Sequence, residues 1–591
     1  MANYLALFGT AVNKQPRQLL GIARRTAKSN VLPKLPIDFE ARYEANRPDV
    51  RRETAAIRAN LEELRESTTQ RRDALKTRAE KAETGTVTFL NETVSFGTGA
   101  EVTGSAQAAA SQSLLWKLKC WGFEHLKWVW LGYDSPTAVP ESALEVHRSW
   151  LAEWNSGHPI GATAGYLRRE WMPHAVSLRL CHWIRYHAWL EDRLSDPFEH
   201  EIEQFVAKNA AFLASNVEYG VGGNHLVENG IALLLAGVYA GIPTWRRQGT
   251  TILERCGERQ FFADGGHYER SPMYHLLVSQ RYLSAADILR RHGEPNEVIR
   301  RTAWSGAQFA ARIRPPDGRI PLVNDSVFGE ALPIEEFLTY ADRTGIDTDP
   351  AQCQSDASGF YWLGSGETKL LVVASELAVP SVPGHAHAHP GQICGWVGGT
   401  RVLTDTGVYE YASGHRRDQA RSVRSHNTVQ VAGSEPAQFG SSFHFCGRID
   451  PEIDYTTTET GSTLTMTYTV KGIGRHRYRH SRSVTATDDE WRIEDEIGAT
   501  ERPWQSRLHL HPAYQATVDS TEVTVRDDEG TDCLRVVAVG AEEVTVETAP
   551  YFPEYGRERS RDVITFSRTH GGTMGYTLVP EMAKQKPQSD K

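Results

Sequence analysis

The sequence predicts two domains, an all-helical array over residues 38–345 followed by an antiparallel β-sandwich over residues 355–582. From Leu114 to Arg312 apolar residues recur at helical spacing in segments rich in Trp and Leu, with short connections and no strand pattern between them. After residue 355 the period switches to two, most cleanly in Leu464-Thr465-Met466-Thr467-Tyr468-Thr469-Val470. At 591 residues the chain is long enough to bury two large cores.

Residues 1–37 are read as an N-terminal segment. Its apolar run, Tyr4 to Val12, has no basic region before it and no cleavage site after it, so a cytoplasmic location is expected. Residues 38–84 are dense in Arg, Glu and Ala, with Ile57, Leu61, Leu64 and Leu75 at helical spacing, which predicts a charged helix or helix pair packing a narrow stripe on its own domain. A coiled-coil surface there, and so a homodimer, is the alternative. Gly85, Gly97, Gly99 and Gly104 bracket Phe89-Leu90-Asn91, a loop or short ribbon.

Helices are then expected at Leu114 to Leu131, Ala143 to Trp154, Val176 to Leu190, Ile202 to Ser215, Asn224 to Tyr239, Tyr274 to Arg291 and Pro295 to Arg312. Closed toroids and open solenoids both fit, and the absence of a clean repeat period weakens the solenoid. Ile231 to Ile242 is too short to span a bilayer, so no membrane partner is expected. In the sandwich, Val523 to Val525 and Leu534 to Val539 alternate as strands, and residues 583–591 form a polar, disordered tail. A net charge of −9 gives no bulk attraction for nucleic acid. Seven cysteines, an odd number with no CxxC pair, read as reduced thiols.

Two clusters carry chemistry. In Gly384-His385-Ala386-His387-Ala388-His389 three imidazoles occupy alternate positions and, on a strand, would share one face. One of these histidines with Asp405 and His426 makes a mixed nitrogen and oxygen set suited to zinc. Separately hydrogen-bonded histidines are the bland alternative. In the helical half, Asn224-His225-Leu226-Val227-Glu228-Asn229 opens a helix with His225 and Glu228 on one face, where Asn224 as N-cap with a capping Glu228 would also satisfy the spacing. Asp264-Gly265-Gly266-His267-Tyr268-Glu269-Arg270-Ser271-Pro272-Met273-Tyr274-His275 adds a density of titratable groups that packing does not require.

Together with the Asp405-Thr406-Gly407 and Arg424-Ser425-His426-Asn427-Thr428-Val429 segments, these motifs resemble the heparinase II/III family of polysaccharide lyases and its oligo-alginate lyase relatives, over about Phe89 to Tyr555. The resemblance implies an (α/α) toroid followed by a β-sandwich with a cleft between them. It also implies β-elimination at C4–O4 of a uronic acid in an anionic polysaccharide, leaving a 4,5-unsaturated product. It assigns Asn224 and His385 to neutralising the uronate carboxylate, Tyr274 to protonating the leaving oxygen, His225 to the alternative base, and Glu228 to an acidic position of broad-specificity relatives.

His387, Asp405 and His426 match ligands of a structural zinc. Where many relatives read HxHxD this chain has His389, which leaves the metal register open between His387 and His389. Arg270 is a candidate for the charge that would lower the Tyr274 pKa. Arg416, Arg421 and Arg424, with Arg417 among them, are candidates for anionic sugar contacts, since guanidinium binds carboxylate or sulfate bidentately. Trp171 and Arg179 resemble a segment near the family's cleft, and Tyr409 and Tyr411 are similarly placed. Other classes remain: a silent carbohydrate-binding protein of the same fold, and a metal-dependent hydrolase in which zinc activates water.

Overall fold

The computed structural model describes residues 16–96, 111–349, 356–377, 384–441, 443–446, 449–471, 477–498 and 500–581. The Tyr4 to Val12 run, Gly97, Gly99, Gly104 and the 583–591 tail lie outside them.

The charged 38–84 stretch is three helices, Phe39–Ala45, Ala55–Ser67 and Arg72–Glu83, rather than one or two. Its stripe of Ile57, Leu61, Leu64 and Leu75 is buried in the helical core of the same chain. Phe89-Leu90-Asn91 belongs to a two-stranded ribbon, Thr86–Phe89 with Glu92–Ser95, whose turn residues Leu90 and Asn91 take φ of 54° and 62°. The Leu114 to Leu131 segment is split into Leu114–Trp121 and Glu124–Gly132 because Phe123 adopts φ 53°, outside the helical region.

Glu141–Gly157, Pro173–Leu190, Asp196–Ser215, Gly223–Tyr239, Pro272–Arg291 and Glu297–Arg312 follow where periodicity placed them, with Pro243–Gln260 and Ile334–Arg343 in addition. Proline at the first helical position starts Pro173–Leu190, Pro243–Gln260 and Pro272–Arg291. Close pairing of Gly223–Tyr239 with Pro243–Gln260 depends on glycine. A Cβ at Gly237 would meet Arg246 N at 2.2 Å and one at Gly249 would meet Leu234 N at 2.4 Å. The helices share one core built on Trp116, Trp150, Trp154, Trp171 and Trp183.

The C-terminal half is antiparallel. An eight-stranded sheet has the spatial order Glu452–Thr458, Gly461–Val470, Tyr478–Ala486, Trp491–Ile497, Gly572–Pro580, Asp532–Val539, Glu522–Asp527, Tyr514–Asp519. A four-stranded sheet, Glu543–Tyr551, Arg559–Arg568, Trp504–His509 and Val429–Val431, packs with it around Trp491, Trp504 and Phe566. In Gly461–Val470 the even-numbered side chains from Leu464 to Val470 are buried, as the alternation requires. A third sheet, Phe360–Ser365, Thr368–Val373, Gln392–Val397 and Thr400–Leu403, meets the helices through Phe309, Ile313, Val323, Phe360, Leu371 and Trp396. This seam holds the two halves in register beside the site. Cys120, Cys181, Cys256, Cys394 and Cys533 are free thiols. No helix among the described residues is long and apolar enough to cross a membrane.

Candidate active site

Helix Gly223–Tyr239 emerges from Gly222, at φ 74°, with no side-chain cap, so Asn224 lies within its first turn and does not cap it. The Asn224 backbone N–H donates to Glu269 Oε1 at 3.2 Å, and its side-chain amide makes no hydrogen bond among the described residues. Glu228 does not cap either, since its Oε1 accepts from Arg281 Nε at 2.7 Å. His225 Nδ1 lies 3.1 Å from Glu218 Oε2 and the ring stacks on His174 at 4.2 Å. Burial pushes the Glu218 carboxyl up, but His225 and Arg25, whose Nη1 donates at 2.7 Å, outweigh it and hold the group at about 2. An ionised carboxylate only accepts, so Nδ1 of His225 donates to it, and in the neutral ring Nε2 is the nitrogen left with a lone pair.

Tyr274 stands in the first turn of Pro272–Arg291, whose Ser271 hydroxyl caps the Tyr274 N–H at 3.2 Å. Its phenol bonds the Tyr411 hydroxyl at 3.0 Å and its ring lies 4.0 Å from that of His385. Burial raises the phenol pKa; Tyr411 offsets this in part, and the carboxylates of Asp325 and Glu269 add to the rise. Arg270 does not supply the compensating charge. At φ 52° it turns its Nε to the Ser358 carbonyl, 3.1 Å away, and its guanidinium over Phe262.

The His-rich segment is not a strand. Residues 384–391 form a loop ahead of Gln392–Val397, because its backbone and rings are claimed by Asn324-Asp325 instead of a neighbouring strand. His387 N–H donates to Asn324 Oδ1 at 3.0 Å, and Asn324 Oδ1 also meets His389 Nε2 at 2.7 Å. Asp325 takes His385 Nδ1 at 2.8 Å, His387 Nε2 at 2.9 Å and both Arg417 terminal nitrogens, at 2.5 and 2.8 Å. Burial opposes its charge, yet Arg417 and the two imidazoles hold its carboxyl well below the usual range. Asn324 adopts φ 55°, a conformation Asn tolerates.

Glu269 is a further buried carboxyl. Its Oε2 sits 3.8 Å from His385 Nε2, and burial pushes its pKa up. Asn224, Glu269, His385, Tyr274 and Tyr411 thus form one contiguous set spanning helices and sandwich.

Behind this set, His426 Nδ1 bonds Asp405 Oδ1 at 2.5 Å, and the His426 ring centroid is 5.3 Å from that of His387 and 5.1 Å from that of His389. His387 Nδ1, His389 Nδ1, His426 Nε2 and Asp405 Oδ2 are all buried without a hydrogen-bond partner. Four unpartnered ligand-type atoms in one polar cluster are of the kind a cation can satisfy. Among the described residues no three His, Cys, Asp or Glu side chains already stand in coordinating geometry.

The family model described as Heparinase II/III N-terminus matches residues 143–342, and that described as Heparinase II/III-like, C-terminal, matches residues 349–586. The chain belongs to the heparinase II/III-like family. It is an enzyme of the polysaccharide lyase kind, an (α/α) toroid followed by a β-sandwich. A heparin-sulfate lyase of Pedobacter heparinus is 22% identical over 477 residues, covering 73% of this chain and 69% of that protein. The crystal structure of a heparinase III superposes with TM-score 0.60 at 17% identity, covering 79% of this chain and 76% of the other. The Streptomyces coelicolor chondroitin AC lyase in complex with chondroitin sulphate gives TM-score 0.52 at 12% identity, covering 87% and 83%. At these identities the structural likenesses speak for the heparinase fold alone.

Within this family fold, Trp171 and Arg179 stand away from the reacting groups. Both are buried, with Trp171 donating to the His158 carbonyl and Arg179 sandwiched between Trp154 and Trp171 at 4.6 and 4.5 Å while donating to Asn209 Oδ1 and Glu170 O, each at 2.7 Å. Their segment reaches the site through His174. Arg179→Met is therefore expected to cost about 1–3 kcal/mol of stability by orphaning two buried acceptors, measured as a lower urea midpoint, with KM unchanged.

Arg421 is buried with its Nε on the Ala386 carbonyl at 3.2 Å, bracing the histidine loop. Arg424 is exposed and paired with Glu547 at 3.2 Å. Arg416 is half exposed, 4.0 Å over the Tyr409 ring and 3.2 Å from Glu558. Glu218, Glu269, Asn324 and Asp325 were missed by reading motifs alone. The available signal for the last two was a polar pair set inside the apolar run Ile320-Pro321-Leu322-Val323-Asn324-Asp325-Ser326-Val327-Phe328.

Proposed function

We propose that the protein cleaves a uronate-containing polysaccharide by β-elimination, giving a 4,5-unsaturated end. The observation that carries this reading is Tyr274 packed on His385 where helices meet sandwich, with Glu269 linking His385 Nε2, 3.8 Å away, to the Asn224 N–H in the helix turn that also bears His225. The C5 proton is only weakly acidic until the adjacent carboxylate is neutralised. Asn224 Nδ2 is the amide donor for that carboxylate, and His385, whose Nδ1 is engaged by Asp325, donates to it through Nε2 only as the imidazolium. His225 Nε2, poised by Glu218, takes the C5 proton, and the electron pair forms the C4–C5 double bond as the C4–O4 bond breaks. Tyr274, held protonated by burial, gives its proton to the departing O4. Arg416, half exposed on the Tyr409 ring, is the guanidinium we assign to an anionic sugar.

The test is ultraviolet absorbance of the conjugated unsaturated uronate on heparan sulfate, hyaluronan, chondroitin, alginate and glucuronate-rich exopolysaccharides. Polymer cleavage without that absorbance would mean hydrolysis, and the lyase reading would fall.

A zinc ion held by His426, Asp405 and His387 or His389 suits the orphaned donor atoms, and when bound it would brace the loop that carries His385. Dialysis against a strong chelator should lower Tm and release about one zinc per chain, measured by elemental analysis, and His426→Ala should purify without metal. Full thermal stability of a metal-free protein would remove the zinc.

A further inference from the structure

A cavity of about 50 Å³ lies in the helical half, bounded by Lys127, His182, Arg185, Glu228, Gln280 and Arg281 with Trp130 and Leu131 as an apolar wall. Its size suits a few waters or one small polyatomic group. Its charge is unbalanced. The lone carboxylate on the wall, Glu228, is taken by Arg281 at 2.7 Å. Arg185 has only a long contact, 3.4 Å, to the Ser284 hydroxyl and a weaker one to the Cys181 thiol.

Lys127 makes no hydrogen bond or ion pair among the described residues. The carboxylate that acts on it electrostatically, Glu124, is held by Lys119 at 2.9 and 3.1 Å, and Lys119 is shared with Glu330 at 2.8 Å. His182 adds no charge, since burial pulls it to about 3 and its Nδ1 bonds the Gly122 carbonyl at 2.7 Å. Unpaired cations facing a small cavity are costly unless an anion completes them.

The cavity also has a place relative to the chemistry. Arg281 follows Tyr274 by seven residues in helix Pro272–Arg291, on the same face and about 10 Å along the axis. Glu228 follows Asn224 by one turn in Gly223–Tyr239. The cavity is thus one to two turns from the groups that act on the scissile bond.

We propose that Lys127, Arg185 and Arg281 form an anion subsite, receiving a carboxylate or sulfate group of a sugar beside the one that is cleaved. The sugar in this statement rests on the lyase reading; the anion site does not. Burial lowers the Lys127 ammonium to about 8, and a bound anion would restore it, so occupancy and full charge reinforce each other.

The test is a thermal-shift titration of the full chain with sodium sulfate or sodium glucuronate, ionic strength matched with sodium chloride, on wild type, Lys127→Met and Arg185→Met. Wild type should gain Tm with at least one anion, and each variant should lose more than half of that gain. Without anion, Lys127→Met should melt at or above wild type because it removes an unpaired, half-buried charge; a lysine with a structural partner would lower it. With a polymer that the enzyme cleaves, Lys127→Met should raise KM about tenfold and change kcat less, the loss of roughly one charge-assisted contact. Response to sulfate alone assigns the site to a sulfate group, and response to glucuronate alone assigns it to a carboxylate. Indifference of wild type to both anions, or variants that respond like wild type, overturns the proposal. The titration contains no polymer, so its failure and a failure of the lyase assay are separate results.

Discussion

Tyr274→Phe is expected to lower kcat by about 10²–10⁴ while leaving KM and Tm close to wild type. The ring is what packs against His385, and Phe keeps it; the variant loses only the hydroxyl that meets Tyr411 at 3.0 Å. The direction of the pKa shift defines the role. Burial, with Asp325 and Glu269 nearby, raises the phenol, which disfavours phenolate at neutral pH and leaves Tyr274 as a proton donor rather than a base. A leaving alkoxide needs such a donor; Tyr411, likewise held neutral by burial, hydrogen-bonds the Tyr274 hydroxyl.

On the proposed reading the base is His225, and the pair of variants separates the roles. Loss of Tyr274 should be least severe on substrates whose leaving group is intrinsically good, whereas His225→Ala should be equally damaging on both kinds. Equal behaviour of the two variants would refute the division of labour, and undiminished turnover by Tyr274→Phe would refute the site.

Much of this was legible in the sequence because two periodicities of opposite kind meet near residue 355, and because helix spacing brings His225 and Glu228 to one face. What was not legible follows from long-range pairing. The spacing of His385, His387 and His389 satisfies a strand, yet the segment is a loop since Asn324 and Asp325, about sixty residues earlier, outbid any sheet neighbour for its polar groups. The arginines between Asp405 and His426 look alike in sequence. Arg417 and Arg421 are fully buried supports while Arg416 and Arg424 face solvent, a difference set by which side of the short helix His415–Arg421 and its following turn meets the histidine loop. Trp171 and Arg179, whose segment resembles one near the family's cleft, are core: a Trp–Arg stack reads identically in a binding site and in a core.

Asp325→Ala should be the most damaging single change to stability, about 3–5 kcal/mol, since it takes from the buried Arg417 guanidinium the carboxylate that accepts from both its terminal nitrogens. Asp325 also orders both imidazoles that reach it, His385 toward the reacting groups and His387 toward the orphaned donor cluster, so activity should fall with stability. The double variant Asp325→Ala/Arg417→Met separates the two effects. Removing that cation should recover a large part of the unfolding free energy, measured by urea denaturation, because most of the single-variant cost is the buried charge without its carboxylate and not the lost pair. Activity should stay low in the double variant, as nothing then fixes the His385 ring beside Tyr274. Recovery of both together would make Asp325 a purely structural anchor, and recovery of neither would mean that the two imidazoles, not Arg417, carry its energetic weight.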